Sequence, residues 1–275
     1  MNGVAPPTFI IGIMERSGTN FLADALKLLD PRFQLPRALG EDFLLEHSNL
    51  LNDYIERTYQ RWKRVPWLNN PDEYKELLSH QLGQALLALL YEQIDPDKRL
   101  LTKTPNASNV DKFCQLFPQA KLLILVRDGR DVVESAAATW PSEPYGYWVN
   151  QWARGARSIL DFIRGPAHEL HGSLWELVRY EDLVQKPQAV ADKLLRFLEL
   201  DKSRADYHLI DKLPIRASSQ DRDEAGKVTW ATIEKHNGFN PIGRWSSWSW
   251  YRKKQFKRLA GQALIDLGYV PNNRW

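Results

Sequence analysis

Apolar residues recur along the chain in two rhythms that alternate. Residues 8–13 (Thr-Phe-Ile-Ile-Gly-Ile) and 121–126 (Lys-Leu-Leu-Ile-Leu-Val) are short apolar runs, the pattern of strands buried on both faces. Residues 99–103 and 173–179 carry the same signal more weakly. Elsewhere the spacing is that of amphipathic helices, at residues 19–29, 41–64, 71–94, 131–139, 145–164, 187–200 and 251–267. A further helix is expected between Lys103 and Phe117. Asp30-Pro31 ends the first helix, Asn70 is placed to cap the third ahead of Pro71, and Gly268 follows the last. Strands alternating with helices at these lengths predict an α/β fold, a central parallel β-sheet flanked by helices. Neither a repeat nor a linker breaks the pattern, so residues 1–275 read as a single domain. In such sheets ligands collect at the carboxyl ends of the strands. The chemistry is therefore expected in the segments that follow the strands.

Composition narrows the function classes. With 43% hydrophobic and 26% charged residues, a disordered or fibrous chain is excluded. The net charge of +3 is too small for a nucleic-acid binder, so no nucleic-acid partner is expected. It is compatible with a basic pocket for one anionic small molecule. The single cysteine, Cys114, excludes an internal disulfide, and the scattered histidines show no ligand spacing, so no metal is expected. Residues 1–7 lack the basic region of a signal peptide, and no apolar run approaches the roughly 20 residues a membrane span needs. The expectation is a cytoplasmic protein without integral membrane association.

The turn after the first strand, Met14-Glu15-Arg16-Ser17-Gly18-Thr19-Asn20, has the parts of an anion cradle. Free N–H groups at a helix start face whatever fills the turn, and the helix dipole favours negative charge there. Gly18 permits close approach, Ser17 and Thr19 add hydroxyls, and Arg16 adds a forked cation. A lone Ser-Gly-Thr is otherwise an ordinary strand-to-helix turn. A nucleotide-hydrolysing loop would need Gly-x4-Gly-Lys-Ser/Thr. Here Thr19 follows Gly18, and the Gly12 to Gly18 spacing is one residue too long. Three later segments also follow strands or occupy a late loop. They are Lys103-Thr104-Pro105-Asn106, Arg127 with Ser135 further along the next helix, and Arg179-Tyr180-Glu181-Asp182-Leu183. Near the end, Asn240-Pro241-Ile242-Gly243-Arg244-Trp245 combines a flexible glycine, a cation and a flat aromatic face.

Arg16-Ser17-Gly18-Thr19 after an apolar strand resembles the 5′-phosphosulfate loop of the sulfotransferase family, whose donor is 3′-phosphoadenosine 5′-phosphosulfate (PAPS). The later segments resemble that family's remaining motifs in its order, from residue 8 to about residue 250. The resemblance implies a P-loop NTPase-like sulfotransferase fold and transfer of a sulfuryl group to a hydroxyl or amine, releasing adenosine 3′,5′-bisphosphate (PAP). It places Arg16, Ser17, Gly18, Thr19 and Asn20 on the donor, and Lys103 on the bridging oxygen as the S–O bond breaks. Arg127 and Ser135 are implied as 3′-phosphate ligands, with Gly243, Arg244 and Trp245 forming a second 3′-phosphate loop. Tyr180 faces the nucleotide, and Ser218 and Ser219 are further donor contacts. Gly129 stands where the family usually has proline, a change in turn stiffness that removes no donor. Arg130 and Asp131 read as a local ion pair and cap, and Glu181 and Asp182 as caps of the next helix.

An alcohol acceptor needs a general base. The histidine that many cytosolic members place two residues after the lysine is here Pro105. Tyrosylprotein-like and many bacterial members use a Glu after the first helix, and Leu39-Gly40-Glu41-Asp42 matches that placement. Glu41 is the expected base and His47 its reserve. The expected partner is a small-molecule acceptor, an alcohol, phenol, lipid or sugar, and a homodimer is open. Trp140 to Trp148 and Trp152, with Trp62 and Trp67, can wall an aromatic pocket, but the i, i+4 spacing of Trp148 and Trp152 fits core packing better. Trp248, Trp250 and Tyr251 are open between adenine and the last helix. Two alternatives stand beside this reading, a small-molecule kinase with a degenerate phosphate loop that binds Mg²⁺-ATP, and a non-catalytic nucleotide-binding protein of the same fold.

Overall fold

The continuous apolar runs become the central strands of one parallel sheet. In the computed structural model, β1 (Thr8–Gly12), β2 (Phe33–Gln34), β3 (Arg99–Thr104), β4 (Lys121–Val126) and β5 (Trp175–Arg179) are hydrogen-bonded in the order β2-β3-β1-β4-β5. Every pairing is parallel, with Ile10 opposite Lys103 on one side and Leu123 on the other. The structure describes residues 5–166, 172–216, 219, 228, 232–234 and 239–275, so Ser218 lies outside the described residues.

The pleat sorts β4 into two cores. Leu122, Ile124 and Val126 join one cluster, while Leu123 and Leu125 join the other. On the first face lie α3 (Pro71–Tyr91), α5 (Gly129–Thr139), α6 (Tyr145–Arg164) and the helix Trp250–Asp266. On the second lie α1 (Thr19–Leu29) and the helix Pro187–Phe197. Each fully buried aliphatic side chain contributes about 1.5–3 kcal/mol. The result is a single α/β domain. Among the described residues no helix is long and apolar enough to cross a membrane.

The chain leaves β1 toward β2 and leaves β4 toward β5, in opposite directions along the sheet. The two strands are neighbours, so a crevice opens between their carboxyl ends, where such folds bind ligands. Arg16 and Arg127 follow those two strands.

Strand β3 is buried end to end, although Arg99, Thr102, Lys103 and Thr104 are polar. Buried polar groups need partners, and they explain the largest departure from the sequence reading. The helix expected over residues 41–64 begins only at Ser48, as α2 (Ser48–Trp62). Residues 41–47 instead form a loop clamped onto β3. The hydroxyls of Thr102 and Thr104 donate to the Asp42 carboxylate at 2.6 and 2.9 Å, and the Asp42 N–H donates to the Lys103 carbonyl. Phe43 takes a positive φ of 50° there.

Three smaller differences follow from local geometry. The helix expected after Lys103 reduces to a 3₁₀ turn, Val110–Lys112, and the single turn Phe113–Leu116. Asn70 precedes α3 in the left-handed region and makes no side-chain cap bond. At Gly129, an added Cβ would lie 2.4 Å from the Trp152 ring. Close packing, rather than turn stiffness, accounts for a glycine where the family pattern has proline.

Candidate active site

Arg16 sits in the left-handed region, φ 70°, at the tip of the turn between β1 and α1. Its Nε donates to Ser135 Oγ at 3.2 Å, and its carbonyl accepts from Arg127 Nη1 at 2.8 Å. Arg127 also donates to the Pro241 carbonyl at 2.6 Å and stacks over the Tyr180 ring at 4.2 Å. Among the described residues its buried Nε has no partner. Arg244 donates to Ser219 Oγ at 2.9 Å, and Ser219 meets Ser135 Oγ at 3.2 Å. Three arginines and two hydroxyls from distant parts of the chain thus converge. Burial and the like charges of Arg127 and Arg244 lower the Arg16 pKa to about 10. Gathering cations against mutual repulsion builds a site for an anion.

Around this centre lies a cleft of about 340 Å³. Arg16, Gly18, Thr19, Asn20, Arg127, Ser135, Tyr180 and Arg244 all line it, as do Glu41, Glu15 and Ser219. Its apolar lining is supplied by Phe21, Val184, Leu213, Pro214, Phe239 and Pro241. Gly18 has φ 99°, and a Cβ there would lie 2.5 Å from the Tyr180 ring. The loop and the ring therefore fit only around a glycine. Tyr180 is buried, which raises its pKa.

Four of the expected residues stand behind the lining. Ser17 is fully buried, and its Oγ has no partner among the described residues. Lys103 is 4% exposed and donates from Nζ to Glu41 Oε1 at 3.0 Å, reaching the cleft through that carboxylate. Gly243 and Trp245 belong to the supporting loop. The Asp131 carboxylate accepts the N–H groups of both Gly243 and Arg244, at 2.9 and 2.6 Å. Trp245 packs over the Arg130 guanidinium at 3.7 Å, and Trp275 covers that guanidinium at 4.6 Å. His47 is exposed and lines neither this cleft nor the cavity beside it.

Several local readings are corrected. Arg130 pairs with Asp128, bidentately at 2.6 and 2.9 Å, and Asp128 also caps α5. Asp131 is freed to hold the distant loop, and burial raises its pKa. Glu181 does not cap its helix. It accepts the Asp128 N–H at 2.8 Å and the Tyr269 hydroxyl at 3.2 Å, joining the ends of β4 and β5. Trp152 and Trp248 are core residues, whereas Trp67, Trp250 and Tyr251 are exposed.

Two contributors escaped the sequence reading. Asp42 fixes Glu41 in place, a role signalled only by the run of polar residues Thr102, Lys103 and Thr104 at the end of a buried strand. Glu15 lines the cleft beside Glu41; burial, then the charges of Glu41 and Glu46, raise its pKa. Among the described residues no group of acidic, His and Cys side chains is arranged to hold a metal.

A family model described as "Sulfotransferase family" matches residues 6–204. The chain belongs to the sulfotransferase family. This sulfotransferase chain is 23% identical over 280 residues to protein-tyrosine sulfotransferase 1 of Danio rerio, covering 97% of the chain and 73% of the relative. Across the curated relatives, the matched stretch spans from 28% to 73% of their length. Among solved structures, the sulfotransferase domain of the Synechococcus PCC 7002 olefin synthase superposes with a TM-score of 0.52 at 19% identity, over 95% of this chain and 96% of that one. A retinol dehydratase in complex with retinol and PAP gives 0.53 at 15% identity, over 96% and 83%. At these identities the structural likeness establishes the sulfotransferase fold.

Proposed function

We propose that this chain transfers a sulfuryl group from PAPS to a hydroxyl-bearing acceptor. The observation that carries the reading is the convergence of Arg16, Arg127 and Arg244 at one end of a cleft whose edge holds the Lys103–Glu41 pair. The PAP named with the related retinol dehydratase supports the same donor. Arg127, Arg244, Ser135 and Ser219 take the 3′-phosphate, the apolar lining takes the adenine, and the Arg16–Thr19 loop takes the 5′-phosphosulfate. Ser17 Oγ and Arg127 Nε, buried and without partners among the described residues, are donors left over for the anion.

In the transfer, the acceptor oxygen forms a new O–S bond as the S–O bond to the 5′-phosphate breaks. The electron pair of the broken bond leaves on the phosphate oxygen of PAP, and the acceptor proton goes to the Glu41 carboxylate. Lys103 and Glu41 exchange partners. The ammonium turns to the leaving oxygen, and the carboxylate to the acceptor hydroxyl. Fixed cations aimed at developing charge supply most of the rate gain. The acceptor class is a small alcohol or phenol, and the enzyme works in the cytoplasm.

A thermal-shift titration with PAP, Mg²⁺-ATP and 5′-AMP tests the donor. At about 100 times its dissociation constant, a ligand specific to the folded state adds ~2.7 kcal/mol. Selective stabilisation by PAP is expected. Stabilisation by Mg²⁺-ATP alone would return the kinase reading.

A further inference from the structure

Beside the donor cleft lies a second cavity of about 560 Å³, and Glu15 and Trp140 line both. Donor binding makes no use of it. Its walls hold three carboxylates, Glu15, Glu46 and Glu143, and one cation, Arg154. Glu15 and Glu46 are half-buried, whereas Glu143 and Arg154 are exposed, so the excess negative charge sits on the inner side. Among the described residues, no cationic side chain forms an ion pair with Glu15, Glu46 or Glu143. Like charges kept together without counter-ions are costly, and a cationic ligand relieves that cost.

The aromatic part of the wall adds a separate observation. Trp140 and Trp148 stack with ring centroids 5.3 Å apart at 28°, which offers a flat apolar surface. Trp148 also lines the cavity, is only 7% exposed, and keeps a buried indole N–H that has no partner among the described residues. Aromatic faces attract cations as well as apolar rings. The Arg16 guanidinium also lies 5.8 Å from the Trp140 ring, and Trp140 lines both cavities. One indole thus separates the donor site from this cavity, and Glu41 stands beside Glu15 at the same boundary.

The geometry points to this cavity as the acceptor chamber, built for an aromatic acceptor that carries a protonated amine as well as its reacting hydroxyl, with Glu15 and Glu46 as the residues that select it. The assignment rests on the sulfotransferase reading of the adjoining cleft. The ring lies against Trp140 and Trp148, the ammonium sits among the carboxylates, and the hydroxyl is left toward Glu41. An anionic acceptor is turned away by the same charges.

The test is a calorimetric titration of the full chain saturated with PAP, using tyramine, 4-ethylphenol and 3-(4-hydroxyphenyl)propanoate. The three share a phenol and differ in charge. Tyramine is expected to bind about tenfold tighter than 4-ethylphenol, the scale of a charge-assisted contact, and the propanoate weakest. Glu46→Gln is expected to remove most of that preference and leave PAP affinity unchanged. Equal affinities for tyramine and 4-ethylphenol, a preference for the propanoate, or binding of none of the three to the PAP-loaded protein overturns the chamber. Failure of PAP itself to bind overturns the sulfotransferase reading beneath it.

Discussion

Lys103 Nζ lies 3.0 Å from Glu41 Oε1, across 62 residues of chain, and the two come from a buried strand and the loop clamped to it. The lysine is almost fully buried, whereas the carboxylate keeps a third of its surface open to the cleft. Lys103→Ala should reduce kcat by about 10²–10³-fold, the scale of one lost electrostatic donor, with little change in PAP affinity. Glu41→Gln should reduce kcat by about 10²–10⁴-fold, as expected for a general base. Steady-state kinetics beside PAP titrations separate the two effects. A Glu41→Gln enzyme with undiminished kcat removes Glu41 from the proton transfer.

Asp131 should prove necessary for donor binding although it need never touch the donor. Its carboxylate fixes the backbone that presents Arg244. Asp131→Asn keeps the shape but loses one accepting oxygen, and should cost about 1–3 kcal/mol of stability together with weaker PAP binding. Urea denaturation and calorimetry on the same variant check both. Normal PAP affinity in a destabilised variant would confine Asp131 to the fold.

A pH experiment isolates Glu15. Its pKa in the folded chain stands above the ordinary 4.5, because burial and then Glu41 and Glu46 disfavour the charge. The folded state therefore holds more protons than the unfolded state between those two values. Stability falls as pH rises through that window and stays reduced above it. Glu15→Gln should raise the melting temperature at pH 7, and the gain should shrink as the pH falls toward 4.5. A gain of equal size at both pH values would sink the electrostatic account.

Restoring the family's proline at residue 129 should harm this protein. The Trp152 ring occupies the space that the new side chain would need. Gly129→Pro is expected to cost about 1–3 kcal/mol, the range for overpacking. Paired with Trp152→Phe, which vacates part of that space, the loss should diminish. A double-mutant cycle measures the coupling.

The strands and helices legible in the chain were those with an unbroken apolar signal. β4 and α6 have their expected bounds because every residue of β4 after Lys121 is buried, and because α6 keeps one apolar stripe over 20 residues. The first turn was legible because its cradle, the backbone around Gly18 at the start of α1, is local, although Arg16 is anchored by Ser135 and Arg127. Residues 41–47 misled because a helical spacing of leucines there is overruled by hydroxyls 60 and 62 residues away. Asp131 and Glu181 misled in the same way. Each sits where a helix cap belongs, and each spends its carboxylate on a distant backbone or hydroxyl group. Local spacing carries no record of such partners. Glu15 drew no attention because its significance depends on Glu41 and Glu46, which only the folded chain brings near it.

The clamp between Asp42 and β3 decouples the position of Glu41 from the rest of its loop. Two strand hydroxyls and a backbone bond hold the carboxylate's neighbour, so Glu41 inherits the rigidity of the sheet rather than that of the turn that carries it. The exposed residues around Glu143, across the chamber, are free of that duty. Acceptor preference can drift through substitutions there while the reacting groups keep their alignment. Fixed chemistry and a variable acceptor are thereby assigned to separate loops of the chain.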